Sequence, residues 1–172
     1  MLNTHKILIF IIILNCFSCR GIQEGQSTRD GHGIDSSMRY GRLPNGFTYF
    51  IKSIQEPQEK LFLRFYNKGG SNQQDQDQLD VAHGVEHLAF RETENFPEGI
   101  GNNSVIKEIG MGIYDYYAYS GNRNTEYYFD APNNSMKALE VGLLWFKDIA
   151  NGLKLSLSDI EQVKGELRQE KL

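Results

Sequence analysis

At 172 residues the chain is long enough for one domain with a real core, and reads as one domain rather than two. Its formal charge of −4 lacks the basic excess that nucleic-acid binding requires, so a nucleic-acid partner is excluded. An apolar content of 40% with 12% aromatic residues is that of an ordinary globular protein.

Residues 1–18 read as a signal peptide. Lys6 supplies a positive start, and Ile7 to Leu14 is an unbroken apolar run, far too short to span a bilayer as a mature helix. Asn15-Cys16-Phe17-Ser18-Cys19 follows and holds both cysteines of the protein. The stretch resembles a bacterial lipoprotein signal with cleavage after Ser18 and a lipid on Cys19. Cys16 stands where such signals usually carry leucine, and a plain secretory signal is the alternative. Either way the mature chain has no internal disulfide. Residues 19–40 are rich in Gly, Ser, Gln and Asp and read as a flexible tether, with His32 solvated within it.

From residue 41 the pattern changes. Leu43-Pro44-Asn45-Gly46 is a turn that leads into a strand over Phe47 to Lys52. Leu61 to Tyr66 is a second strand, apolar enough to be buried on both faces, and Gly69-Gly70 ends it. A polar run over Asn72 to Gln78 opens a helix expected from Asp77 to Phe90. A short helix over Asn103 to Ile109 ends at Gly110. Two tyrosine-rich strands, Ile113 to Tyr119 and Thr125 to Phe129, flank a hairpin turn at Ser120 to Arg123. Asn134 or Ser135 caps a long helix to Asn151, with an apolar stripe of Met136, Leu139, Leu143, Phe146 and Ala150. Ser158-Asp159-Ile160-Glu161 is a capping box for the last helix.

The helix over Asp77 to Phe90 carries Ala82-His83-Gly84-Val85-Glu86-His87-Leu88. At about 100° per residue, His83 and His87 lie about 40° apart and Glu86 about 60° to the other side of His83. All three fit one face. Zinc needs neutral imidazoles on a fixed scaffold and one open position, and a nearby carboxylate can take a proton from water there. The order H-x-x-E-H is the inverted form of H-E-x-x-H. Chance would place it in on the order of one percent of chains with these His and Glu frequencies. His5 and His32 lie in the leader and tether, so every histidine of the folded region is inside the motif. Gly84 costs about 1 kcal/mol in mid-helix against alanine, which points to close packing against a neighbour. In the last helix Ile160, Val163, Leu167 and Glu170 fall on one stripe. Glu170 is then either a third metal ligand aimed inward or a frayed, solvated residue near the end of the chain.

From about Arg42 onward the chain resembles the amino-terminal domain of the pitrilysin-like (insulinase-type) zinc metallopeptidases. Leu43 to Tyr49 is similar to that family's opening strand, and Ala82-His83 through His87-Leu88-Ala89-Phe90 to its metal helix. Asn95-Phe96-Pro97, Ala118-Tyr119, Asp130-Ala131-Pro132 and Ile160-Glu161 fall where matching pieces occur. The resemblance implies peptide hydrolysis without a covalent intermediate, by a zinc-activated water with Glu86 as general base. It implies His83, His87 and Glu170 as ligands of one Zn2+ per chain, in the register set by Lys164-Gly165, with Glu166 the fallback ligand. It also implies a polypeptide substrate added as a strand to a sheet edge, where the segment reads Tyr117-Ala118. Three positions depart from the family pattern. Val163 replaces a common glutamate, Gly84 replaces a bulky apolar residue, and the chain stops at Leu172, where family members continue into further domains.

The expected fold is α/β (α+β), a mixed sheet with helices packed against it, the domain running over 41–172 and lacking its last part. The expected function is that of a zinc metalloendopeptidase, or its metal-binding part. Such a protein is exported and held to the membrane by a lipid on Cys19, and acts with a carboxy-terminal peptidase half. The alternative is a catalytically silent, lipid-anchored binding or structural remnant.

Overall fold

The computed structural model describes the backbone of residues 7–13, and residues 35, 37–57 and 59–171. Cys19 and most of the tether segment lie outside the described residues. Six strands form one sheet: β1 (Ile7–Ile13), β2 (Met38–Arg42), β3 (Thr48–Ile54), β4 (Leu61–Asn67), β5 (Tyr116–Ser120) and β6 (Thr125–Ala131). Their order is β2-β3-β1-β4-β6-β5. The sheet is mixed, because β1 runs antiparallel to β3 and parallel to β4 while every other pair is antiparallel.

β2 and β3 form a hairpin whose turn is the expected one. Gly46 takes φ 88°, Asn45 Oδ1 accepts from Phe47 N, and Leu43 N donates to Phe47 O at 2.7 Å. Pairing begins at Met38, inside the segment read as tether. β4 alternates: Leu61, Leu63 and Phe65 are buried while Phe62, Arg64 and Tyr66 are half-buried, so only one face is core. On the other face Arg64 pairs with Asp130 and lies 4.6 Å from the Tyr128 ring centroid. The β5–β6 turn packs on the end of β4, where a Cβ at Gly70 would meet Gly121 O at 2.4 Å.

The core side of β4 and β6 is covered by helix α3, Met136–Asn151, capped by Ser135, whose side chain accepts from Ala138 N. The helix comes very close at Gly142, where a Cβ would stand 2.3 Å from Leu63 Cδ1. Its buried face is Ala138, Val141, Gly142, Trp145, Phe146 and Asp148, rotated from the stripe read in the sequence, and Met136 is exposed. The buried carboxylate of Asp148 disguises that face in a reading by hydropathy. Trp145 lies at the centre of the core, touching Phe90, Tyr116, Tyr127 and Phe129, and its Nε1 donates to Ala89 O at 3.0 Å. That bond fixes the end of helix α1, Val81–Leu88, on the core.

α1 starts later than its sequence pattern implies, because Asp80 takes φ 68° and breaks the helical path. Helix α2, Ser104–Glu108, is capped by Asn103. Helix α4, Leu157–Glu170, is capped by Ser156 rather than Ser158, the Ser156 hydroxyl accepting from Asp159 N at 3.1 Å.

Candidate metal centre

The site is built from two helices that each contribute residues one turn apart. α1 presents His83 and His87, and α4 presents Glu166 and Glu170. The helices are joined by a small apolar cluster of Leu88, Val163 and Leu167, with Ile160 at its edge. Gly84 faces this contact: a Cβ there would lie 3.5 Å from Leu167 and 3.7 Å from Val163. Anything longer than a methyl at that position would push α4 away. Lys171 pairs with Asp80, tying the end of α4 to the start of α1.

The packing brings three potential ligand side chains together. His83 Nε2 and His87 Nε2 are 3.3 Å apart. Glu170 completes the triangle, with one oxygen 3.3 Å from His83 Nε2 and the other 3.4 Å from His87 Nε2. Zinc bonds of about 2.0–2.1 Å in a tetrahedron place ligand atoms about 3.3–3.4 Å apart. The Glu170 carboxylate thus lies astride the two Nε2 atoms, one oxygen at such a distance from each, so that these three side chains could hold one metal ion. Among the described residues this is the group of His, Cys, Asp and Glu side chains that could hold a metal ion.

Glu166 occupies a different place from Glu170. Its Oε2 is 3.0 Å from His87 Nδ1, on the far side of that ring from the triangle. The other oxygen accepts from Arg91, which also donates to Gln162 Oε1 at 3.2 Å. Glu166 thus stands behind His87 rather than among the converging atoms.

Glu86 is buried at 9% exposure and lines a cleft of about 700 Å³ together with His87, Arg91, Tyr116, Tyr117 and Ala118. Beneath it lies Tyr127, whose phenol is pushed well above its ordinary range by burial and by the charge of Glu86. Tyr117 and Ala118 sit on β5, an outer strand of the sheet that among the described residues pairs only with β6. Among the described strands, none pairs with its other edge. The Tyr117 ring turns the other way and stacks on Tyr128, centroids 4.5 Å apart.

Residues 51–171 match the sequence profile of Insulinase (Peptidase family M16). The chain belongs to the insulinase family of peptidases. It is 27% identical to a probable zinc protease PqqL of Haemophilus influenzae over 163 residues, 94% of this chain and 17% of that protein. It is 30% identical to subunit 1 of the mitochondrial cytochrome b-c1 complex of Bos taurus over 131 residues, 75% of this chain and 25% of that protein. The crystal structure of the periplasmic protease PqqL from Escherichia coli superposes with a TM-score of 0.72 at 26% identity, covering 79% of this chain and 15% of that one. The chain thus spans a small fraction of the length of the relatives it matches.

Within this insulinase-family domain the sequence reading names the converging residues but misses their supports. Arg91 and Gln162 carry no motif of their own, and the link from Glu166 to His87 joins residues 79 positions apart. A usable signal was present in the spacing of Glu166 and Glu170, which places them on one face of α4.

Proposed function

We propose that this chain is the metal-binding, amino-terminal part of an exported zinc metalloendopeptidase. The observation that carries the reading is the convergence of His83 Nε2, His87 Nε2 and the Glu170 carboxylate, a donor set suited to zinc. The relatives named as zinc proteases support the choice of metal, and the periplasmic location of the Escherichia coli protein supports export. In this reading His83, His87 and Glu170 hold one Zn2+, Glu86 is the general base, and Glu166 orients His87.

When bound, zinc supplies a polarised water and positive charge for the developing oxyanion. Glu86, one residue before His87 and lining the cleft, would be the base that accepts a proton from the attacking water and returns it to the leaving amine. The free edge of β5 at Tyr117 and Ala118 pairs with an extended polypeptide and holds its carbonyl near the triangle. Backbone pairing selects an unfolded or extended substrate rather than a particular side chain. The cleft is open on this chain, so substrate positioning and water exclusion fall to a carboxy-terminal peptidase half. Cys19 carries the lipid that holds the protein to a membrane, and Cys19→Ser leaves an unprocessed precursor.

The test is metal analysis of the purified protein, which should contain about one zinc per chain, lost in His83→Ala and His87→Ala. Full zinc occupancy in both variants would overturn the assignment. A silent, lipid-anchored remnant is the second reading, favoured by the relative that is named as a respiratory-complex subunit rather than a protease. It predicts zinc bound normally but no peptide cleavage when the carboxy-terminal half is added.

A further inference from the structure

Five carboxylates line the cleft beside the triangle, those of Glu86, Glu92, Glu98, Asp159 and Glu166, against one guanidinium, that of Arg91. Arg91 is already engaged by Glu166 and by Gln162 Oε1. Glu92 and Glu98 are exposed and meet no cationic side chain among the described residues. Glu94, between them in the sequence, lies outside the cleft lining and pairs with Lys147 at 3.1 Å. Glu86 is a separate sign that the cleft receives a ligand. It is nine-tenths buried, lines the cleft, and takes no hydrogen bond from any described residue. A carboxylate so placed is costly unless a donor arrives with a bound molecule.

We propose that the cleft selects extended polypeptides with an arginine or lysine near the cleaved bond, and that Glu92 and Glu98 make the selection. This rests on the peptidase reading above. Both carboxylates stand on backbone that is tied down. Glu92 O accepts from Lys154 N at 3.2 Å, and Thr93, next in the chain, is fully buried with its hydroxyl on Asp148. Glu98 O accepts from Asn102 Nδ2 at 2.9 Å. Gly99, which follows, takes φ 78° and comes so close to the end of α1 that a Cβ would meet Phe90 O at 2.4 Å. Asp159, on α4, is steadied by the Ser156 hydroxyl, which donates to it at 2.8 Å. Charges fixed in this way need little ordering when a cation arrives.

The apolar part of the lining decides which cation fits. Exposed Ile113 and Pro97 stand in the same cleft as Phe90 and Tyr116. Arginine and lysine each offer an aliphatic stem for such a surface and a charged head for the carboxylates. The Tyr116 ring adds a face on which a cation can rest. A substrate glutamate or aspartate meets repulsion from the same groups, so the cleft discriminates by both attraction and exclusion. A cleft lined by one sign of charge also draws oppositely charged chains toward it.

The test measures binding of short labelled peptides to the full chain carrying Glu86→Gln, so that the peptides stay intact. The peptides are uncharged sequences of Ser, Ala and Val that differ only at a central arginine, norleucine or glutamate. Fluorescence anisotropy at low salt should show the arginine peptide bound about tenfold tighter than the norleucine peptide, since each exposed ion pair contributes up to about fivefold. The glutamate peptide should bind more weakly than either, and high salt should remove most of the arginine preference. Glu92→Gln combined with Glu98→Gln should bring the arginine and norleucine peptides within about twofold of each other. The norleucine affinity should not change, whereas a loss of structure would weaken every peptide. Equal affinity for arginine and norleucine in the parent chain, no binding by any peptide, or an arginine preference that survives the double substitution overturns the proposal. Zinc content measured on the same samples separates the two readings. An arginine preference that depends on Glu92 and Glu98 in protein without zinc sinks the metal reading alone, and zinc without the preference sinks this proposal alone.

Discussion

His87 Nδ1 lies 3.0 Å from Glu166 Oε2, while Nε2 of the same ring lies 3.4 Å from Glu170. One imidazole therefore meets two carboxylates of one helix, spaced a single turn apart. A proton on Nδ1 shared with Glu166 leaves the Nε2 lone pair facing the triangle, the tautomer a metal ligand requires. Arg91 holds the second oxygen of Glu166 and limits its rotation. The carboxylate that meets His87 Nδ1 comes from Glu166, about one turn beyond Val163 on α4. Val163 itself is buried against Leu88 and helps to dock the helix.

Glu166→Ala should weaken zinc binding by about 10–100-fold, the usual cost of removing a partner behind a ligand. Glu166→Gln should fall between, since its amide oxygen still accepts from Nδ1 without the charge. Arg91→Ala should cost less than either. Competition titration against a zinc chelator measures all three. Wild-type affinity in Glu166→Ala would show that His87 needs no such support.

Glu86→Gln separates binding from chemistry. Glu86 is not part of the triangle, so zinc content should stay at the wild-type level. In the presence of the carboxy-terminal half, cleavage of an unfolded peptide should fall by about 10²–10⁴-fold, the worth of a positioned general base. The chain alone should cleave poorly even with Glu86 intact, because the described residues leave the cleft open. Rapid hydrolysis by the chain alone, lost in Glu86→Gln, would make it a complete enzyme.

The helix that carries His83 and His87 and the last helix are legible in the sequence because each has a local signature, whereas the parallel pair that makes the sheet mixed is a long-range contact. His83, Glu86 and His87 are set by helical spacing, and Glu170 continues the stripe of Val163 and Leu167. The misreadings share a cause. The buried face of α3 is centred on Trp145 and includes Asp148, a charged residue that hydropathy assigns to solvent. The start of α1 depends on one backbone angle at Asp80, which no periodicity records.

Two mid-helix glycines should respond in opposite directions to alanine. At Gly84 the added methyl meets Leu167 at 3.5 Å, an ordinary contact, and helix propensity improves. Gly84→Ala should therefore stabilise by about 0.5–1 kcal/mol. At Gly142 the methyl would lie 2.3 Å from Leu63 and 2.9 Å from Phe129 in the fully packed core. Gly142→Ala should destabilise by about 1–3 kcal/mol. Urea unfolding of both variants checks the pair, and equal shifts would contradict the packing described.

Asp148 is placed to couple stability to the candidate metal centre from a distance. It is completely buried and accepts from Thr93 Oγ1, Asn95 N and Asn95 Nδ2, each at 2.7 Å. Those donors lie in the loop that leaves α1, and the loop is also bonded to the α3–α4 connection through Glu94 N to Gly152 O and Lys154 N to Glu92 O. Asp148 thus pins the junction that sets where α4 begins relative to α1. Asp148→Ala leaves buried donors without an acceptor and should cost about 3 kcal/mol or more. Asp148→Asn retains one acceptor oxygen but turns an amide nitrogen toward existing donors, so it should be only a partial rescue. Because His83 and His87 on α1 must meet Glu170 on α4, loosening the junction should also weaken zinc binding, although Asp148 is not among the converging atoms. Chemical denaturation and chelator competition on the same two variants test both halves. Loss of stability with zinc affinity unchanged would mean that the Leu88, Val163 and Leu167 contact alone holds the helices in register.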